Sequence, residues 1–194
     1  NVYEGLVRWN ADLKIEPALA ESWEALSDTE WRFHLRKGVT FHNGNPFTAD
    51  DVIFSFHRAG DAGSPFAGLL DLGAEVVKVD DHTVDVKLKR KYALVLNDFA
   101  GWYILDKEFQ EEIGAVTPLD LSSNAGGAMQ AAANGTGPFK LIERQPDVKT
   151  VLAANPDWWD EKKHNLDEIV YTPITNNATR VAALLSGEVD FIRN

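Results

Sequence analysis

The chain has 194 residues, of which 44% are hydrophobic and 25% are charged, and this is the composition of an ordinary globular protein. Its formal net charge of −11 disfavours nucleic acid as a partner, because binding phosphates requires clustered lysine and arginine. The chain contains no cysteine, which excludes disulfides, thiolate zinc sites and cysteine nucleophiles, and it has no apolar run long enough to span a bilayer.

The first half of the sequence predicts a strand, a helix and a β-hairpin. Residues 31–35 alternate apolar and polar side chains, as a strand with one buried face does. Thr48 can cap the helix that follows, with Asp51 at the third helical position of a capping box. Residues 75–79 and 83–88 alternate in the same way around a polar turn, and one face of the second strand carries Val84, Val86 and Leu88.

The second half predicts a loop, another hairpin and a second helix. Small residues dominate 121–137, so this stretch is expected to be a loop or an inter-domain crossing. Residues 139–153 contain two short alternating strands joined by a turn. The helix is expected to begin near Asn176 and to end at Gly187, which suits a left-handed C-terminal cap. Residues 188–191 then predict the start of a further strand.

The sequence contains no pattern typical of a catalytic or metal site. Its five histidines are spread along the chain, and none has HExxH or HxH spacing. No GxSxG motif is present, and the glycine-rich residues 134–138 lack the lysine and the hydroxyl residue of a phosphate loop. Helix capping explains Asp50 and Asp51 better than acid–base chemistry does. We therefore expect a protein that is not an enzyme and that has neither a cofactor nor a metal site.

The six tryptophans are more informative, because aromatic rings beside a cleft provide contact area for ligands with varied side chains. Trp158 and Trp159 follow a turn, and we expect them to pack a loop against the body of the protein. Gly101, Trp102 and Tyr103 interrupt an apolar run at a point where the glycine allows a close backbone approach. These three residues are either ordinary core or part of a ligand cleft, and the pattern leaves both interpretations open.

A series of motifs runs through the chain, and the longest reads FHLRKGVTFHNGNPFTADDV over residues 33–52. The others are NVYEGLV at 1–7, PALAESW at 17–23, GTGPF at 135–139, NPDWW at 155–159, and TRVAAL at 179–184 with GEVD at 187–190. Together and in this order they resemble the motifs of the extracytoplasmic solute-binding proteins of family 5. These are the peptide-, nickel- and oligopeptide-binding subunits of ABC importers.

The resemblance implies an α/β chain with the type II periplasmic-binding-protein fold, in which a ligand is trapped between two lobes that close about a hinge. Family members are more than twice this length, so the chain is expected to be a fragment in which the second lobe is absent. It would hold most of lobe 1, over residues 1–21 and 126–194, and an inserted α+β domain over residues 22–125.

The resemblance also implies a function. The chain would belong to the substrate-binding component of an ABC importer, periplasmic or lipid-anchored outside the cytoplasmic membrane, which delivers peptides to the importer's membrane subunits. Sugars, opines and metal chelates are the alternative ligands within the family, and a structural or interaction module is the alternative outside transport. The arginine of some nickel-chelate binders has no counterpart here, which weakens nickel as the ligand.

Two departures of the sequence from the family pattern change the chemistry of the side chain. Asn43 stands where aspartate is usual, and Asp106 replaces the usual proline of an IVPKE segment that reads ILDKE here. The turn before this segment faces the cleft in relatives. The resemblance therefore implies that Gly101, Trp102 and Tyr103 line the ligand cleft.

Overall fold

The computed structural model describes residues 1–61, 63–64, 66–68, 75–118 and 132–193. These residues form a mixed α/β structure, and none of their helices is both long enough and apolar enough to cross a membrane. The strands are β1 (Val7–Trp9), β2 (Ile15–Pro17), β3 (Ala20–Ser27), β4 (Glu30–Leu35), β5 (Glu75–Asp80), β6 (Thr83–Lys87), β7 (Phe139–Gln145), β8 (Lys149–Ala154) and β9 (Glu168–Tyr171). The helices are α1 (Ala49–Gly60), α2 (Val95–Gly101), α3 (Lys107–Glu112) and α4 (Asn177–Ser186).

The largest sheet is antiparallel, with the strand order β3-β4-β6-β5. Strands β5 and β6 form the predicted hairpin, and β4 contains the strand predicted over residues 31–35. The register places Phe33 opposite Val84 and Trp31 opposite Val86. Because side chains alternate across a strand, Phe33, Val84 and Val86 share one face, and all three are fully buried.

Helix α1 packs beside β5 and buries Val52 and Phe56, which lie one turn apart on its apolar face. Its N-terminus has the predicted capping box. The Thr48 side chain accepts from the Asp50 amide, and the Asp51 carboxylate accepts from the Thr48 amide at 2.8 Å. The predicted start of the helix is therefore confirmed.

The C-terminal part of the chain contains a three-stranded antiparallel sheet, β7-β8-β9, which includes the hairpin predicted over residues 139–153. Helix α4 follows Asn176, whose side chain accepts from the Thr179 amide. The helix ends at Gly187 in the left-handed conformation, with a φ of 78°. Both ends of this helix agree with the sequence prediction.

The prediction of a strand over residues 188–191 is wrong, because these residues form no strand. The amides of Glu188 and Val189 donate to the Ala183 carbonyl at 2.9 and 3.3 Å, so the C-terminal cap of α4 uses the groups that a strand would need for pairing. Of the loop predicted over residues 121–137, the first part lies outside the described residues and the remainder has no helix or strand.

One buried hydrophobic cluster joins the N-terminal segment to the largest sheet. Leu6, beside β1, and Phe33, on β4, belong to the same buried cluster. The predicted division into lobe 1 (residues 1–21 and 126–194) and an inserted domain (residues 22–125) stays a prediction.

Candidate functional site

The N-terminal segment is paired with the segment that contains the predicted site residues. Gly5 forms an antiparallel β-bridge with Tyr103. A Cβ atom on Gly5 would lie 2.8 Å from the Trp102 carbonyl oxygen, so glycine is required where these two backbones meet. The close approach expected at Gly101 is therefore found at Gly5 instead, since a Cβ on Gly101 would meet nothing within 4 Å.

The GTGPF motif is also hydrogen-bonded to the N-terminal segment. The Gly137 amide donates to the Val2 carbonyl at 2.9 Å, and the Phe139 amide donates to the Asn1 carbonyl at 3.1 Å. His42 also holds the motif, because its Nε2 donates to the Gly137 carbonyl at 2.9 Å. Burial lowers the pKa of His42, which favours the neutral imidazole.

The carboxylate of Glu4 is the polar centre of the site. Its Oε2 accepts from Trp159 Nε1 at 2.7 Å, from Thr136 Oγ1 at 2.9 Å and, at the longer distance of 3.4 Å, from Trp158 Nε1. The Arg36 guanidinium lies 4.4 Å from the centre of the Trp159 ring and fixes that ring further. Burial raises the pKa of Glu4, and the three donors oppose this shift by stabilising the charged form.

Arg8 on strand β1 forms an ion pair with the loop after the NPDWW motif. Its Nε contacts a carboxylate oxygen of Glu16 at 2.7 Å, and a terminal nitrogen contacts Asp160 at 2.8 Å. Together with the indole hydrogen bonds of Trp158 and Trp159, these ion pairs hold the loop on the N-terminal segment. This arrangement agrees with the packing predicted for the two tryptophans.

A cavity of about 380 Å³ opens beside these groups, which is a suitable size for a small ligand. Its wall combines residues from the N-terminal segment, from the end of α2 and from the NPDWW motif, all far apart in the sequence. The rings and charged side chains on the wall belong to Tyr3, Trp9, Tyr103, Trp158, Glu4 and Arg8.

Two of the three predicted site residues line this cavity. Gly101 and Tyr103 lie on its wall, and Tyr103 is 50% exposed. Trp102 is only 2% exposed, and its ring packs edge-on against Phe56 with the ring centres 5.6 Å apart. Trp102 was expected to face the cleft, and this orientation is wrong. Successive side chains of an extended segment point to opposite sides, so Trp102 enters the core when Tyr103 faces the cavity. Ligand binding by this segment stays a prediction.

Asp106 is a buried hydrogen-bonding centre that the motifs alone did not indicate. Its side chain has no exposed surface, and its Oδ1 accepts from the Phe109 amide at 3.0 Å, which caps helix α3. Its Oδ2 accepts from the side-chain amides of Asn43 and Asn45 at 2.9 Å and of Asn134 at 2.7 Å. The only signal in the sequence was the pair of departures from the family pattern at positions 43 and 106.

Asp51, Asp106 and Glu108 place carboxylate oxygens within 4.8 Å of one another. Burial raises the pKa of Asp51 to about 6, and the two neighbouring carboxylates add to the shift. Both oxygens of Asp51 accept backbone hydrogen bonds, from the amides of Lys107 and Thr48. These two hydrogen bonds join the start of α1 to the start of α3.

The chain matches the family model described as bacterial extracellular solute-binding proteins, family 5 middle, over residues 14–194. The chain belongs to this family. The assignment made from the motif order is confirmed, and the family is one of binding proteins.

Known relatives agree with this assignment. The dipeptide-binding protein of Escherichia coli (strain K12) is 34% identical over 96% of the chain. The structure of the binding protein AgaA from A. tumefaciens R10, in complex with agropinic acid, superposes with a TM-score of 0.84 at 30% identity over 97% of the chain. The ABC transporter-associated periplasmic binding protein DppA from Helicobacter pylori, in complex with the peptide STSA, gives a TM-score of 0.82 at 31% identity over 97% of the chain.

The chain spans about two fifths of the length of these proteins. It covers 38% of the Escherichia coli protein, 37% of AgaA and 40% of DppA. The predicted fold class, an α/β chain with part of the type II binding-protein fold, is confirmed over this portion.

Proposed function

We propose that this chain belongs to the substrate-binding component of an ABC importer, located outside the cytoplasmic membrane, and that it captures peptides for delivery to the importer's membrane subunits. The observation that carries the proposal is the cavity beside Gly101 and Tyr103 in a chain of the family 5 fold. Two relatives support peptide as the ligand, since one is a dipeptide-binding protein and DppA was solved with a bound peptide.

The wall of the cavity suits binding better than catalysis. Its exposed ring at Tyr103 offers contact area and a hydroxyl group, which accommodates ligands with different side chains. Arg8 is already paired with two carboxylates, and one oxygen of Glu4 is already bonded to three donors. In this proposal Gly101 and Tyr103 contact the ligand, and Trp102 anchors their segment in the core.

The proposed domain division would put the cavity at a boundary between two domains. Residues 1–21 and 126–194 would form lobe 1, and residues 22–125 the inserted domain. The wall combines residues of the N-terminal segment, Pro138 and Trp158 from the first with Ala100, Gly101 and Tyr103 from the second, so the cavity would lie between them. A second lobe would close over this surface and bury the ligand.

Native mass spectrometry of the protein at its full natural length, purified without added ligand, tests this function. We expect gentle activation to release a ladder of peptide masses. A single non-peptide mass would replace peptide with another ligand, such as an acid of the kind found in the AgaA complex with agropinic acid. A protein that is empty and also ignores peptides, sugars and chelates would contradict the transport function and favour an interaction module.

A further inference from the structure

We infer that the cavity takes a positively charged group of the bound peptide, an ammonium or a guanidinium, between the Glu4 carboxylate and the rings of Trp9, Tyr103 and Trp158. This inference rests on the proposed function and specifies its ligand. A carboxylate gives a cation a charge-assisted hydrogen bond, and aromatic faces attract the same charge through their quadrupole.

Glu4 is oriented before any ligand arrives. Within the described residues, its side-chain hydrogen bonds all end on Oε2, and Oε1 receives none of them. The short bond from Trp159 holds the carboxylate in place, and Glu4 is part of the cavity wall. One oxygen is therefore anchored to the protein while the other is free to accept from a ligand, without the cost of ordering a flexible side chain.

The nearby guanidinium does not cancel this preference. Arg8 also lines the cavity and would repel a cation if its charge were unbalanced. However, it contacts Glu16 at 2.7 Å and Asp160 at 2.8 Å, so two carboxylates already compensate its charge. Arg8 also interacts with Glu4, but this one guanidinium stands against the three carboxylates of Glu4, Glu16 and Asp160, so the local field favours a positive ligand group.

The rings are available for contact. Trp9 and Tyr103 are 46% and 50% exposed, and both lie on the same cavity wall as Glu4. A cation within about 6 Å of such ring faces is attracted, whereas a neutral side chain of equal size gains only ordinary packing. The Trp158 indole donates to Glu4 at 3.4 Å, which is longer than the 2.7 Å of Trp159. The Trp158 ring is therefore held less tightly than the Trp159 ring.

The test is a binding cycle between ligand charge and Glu4, measured by isothermal titration on the protein at its full natural length. The peptides are Ala-Lys-Ala, Ala-Gln-Ala and the N-acetylated form of Ala-Gln-Ala, and the proteins are wild type and Glu4→Gln. We expect wild type to lose about tenfold in affinity when the relevant cationic group is removed, and Glu4→Gln to abolish that difference. Loss on Lys-to-Gln replacement identifies a basic side chain, and loss on acetylation identifies the terminal amine.

Control variants separate this effect from folding. Glu112→Gln makes the same charge change at an exposed position outside the cavity and should keep the full preference for the cation. If Glu4→Gln is unfolded by circular dichroism, Tyr103→Ala serves instead, because its half-exposed ring can be removed at small cost, and it should reduce the preference about threefold. If wild type and Glu4→Gln both bind peptides and show the same preference for the cationic peptide, this inference is overturned but the proposed function is not. No binding of any peptide would overturn the proposed function as well.

Discussion

The side-chain amide of Asn43 donates to Asp106 Oδ2 at 2.9 Å, and this bond joins two of the positions at which the motifs depart from the family pattern. Asp106 is fully buried, so its charge must be compensated by hydrogen bonds. Asn43 supplies one of the three side-chain amides that do this. The usual aspartate at position 43 would instead place a second carboxylate against the first.

Replacing Asn43 by aspartate is therefore expected to destabilise the protein. The Asn43→Asp variant should lose about 1–3 kcal/mol of unfolding free energy at pH 7, because it removes a donor and brings an exposed carboxylate against the buried one of Asp106. Urea unfolding measures this loss. Asn165→Asp makes the same change at an exposed site and should stay within about 0.5 kcal/mol of wild type.

The double variant Asn43→Asp with Asp106→Asn tests the cause. It exchanges donor and acceptor and leaves a single carboxylate in the pair, so it should recover part of the stability that Asn43→Asp loses. A double variant no more stable than Asn43→Asp would show that the pairing of these two positions is not the reason for the loss.

Asp51 should make stability depend on pH in the direction opposite to that of an ordinary paired carboxylate. Burial raises its folded-state pKa from 3.8 to about 6, so between these values the folded protein holds a proton that the unfolded chain has released. The stabilisation from this group is complete below about pH 4 and is lost as the pH rises through about 6, by at most about 3 kcal/mol.

The measurement is the unfolding free energy of wild type minus that of Asp51→Asn, taken from pH 4 to pH 7. This difference cancels the other titrating groups, and we expect it to fall as the pH rises. A difference that grows with pH would mean that the hydrogen bonds from Thr48 and Lys107 stabilise the charged form more strongly than burial opposes it.

The local elements were readable from the sequence because short-range patterns determine them. Thr48 and Asp51 lie three residues apart in a capping box, and Gly187 ends α4 where a left-handed residue was expected. The strand predicted at 188–191 failed because the pattern of apolar residues does not reveal that the α4 cap uses the amides of Glu188 and Val189.

The site was less readable because its contacts connect distant parts of the chain. Trp159 lies 155 residues from Glu4, and Asn43 lies 63 residues from Asp106. The motifs contain all four residues, but nothing in their spacing indicates that they meet. The buried orientation of Trp102 likewise depends on the β-bridge that turns Tyr103 toward the cavity.

The two adjacent tryptophans provide a matched pair for testing the Glu4 centre. Trp159 Nε1 donates to the carboxylate at 2.7 Å, whereas Trp158 Nε1 donates at 3.4 Å. The Trp159→Phe variant should lose about 1.5–3 kcal/mol of unfolding free energy, the value of a hydrogen bond to a charged group, and Trp158→Phe should lose less than about 1 kcal/mol. Urea unfolding of both variants checks the order, and equal losses would contradict a dominant role for the shorter bond.

The most direct test of the proposed site is the effect of Tyr103 on peptide binding. Titration calorimetry with a mixed tripeptide pool should show wild type binding and Tyr103→Ala binding about tenfold more weakly, since the ring is half exposed on the cavity wall. Tyr171→Ala removes a ring of 62% exposure from β9, outside the cavity, and should bind as wild type does. Equal binding by all three proteins, or no binding by wild type, would contradict a peptide site beside Tyr103.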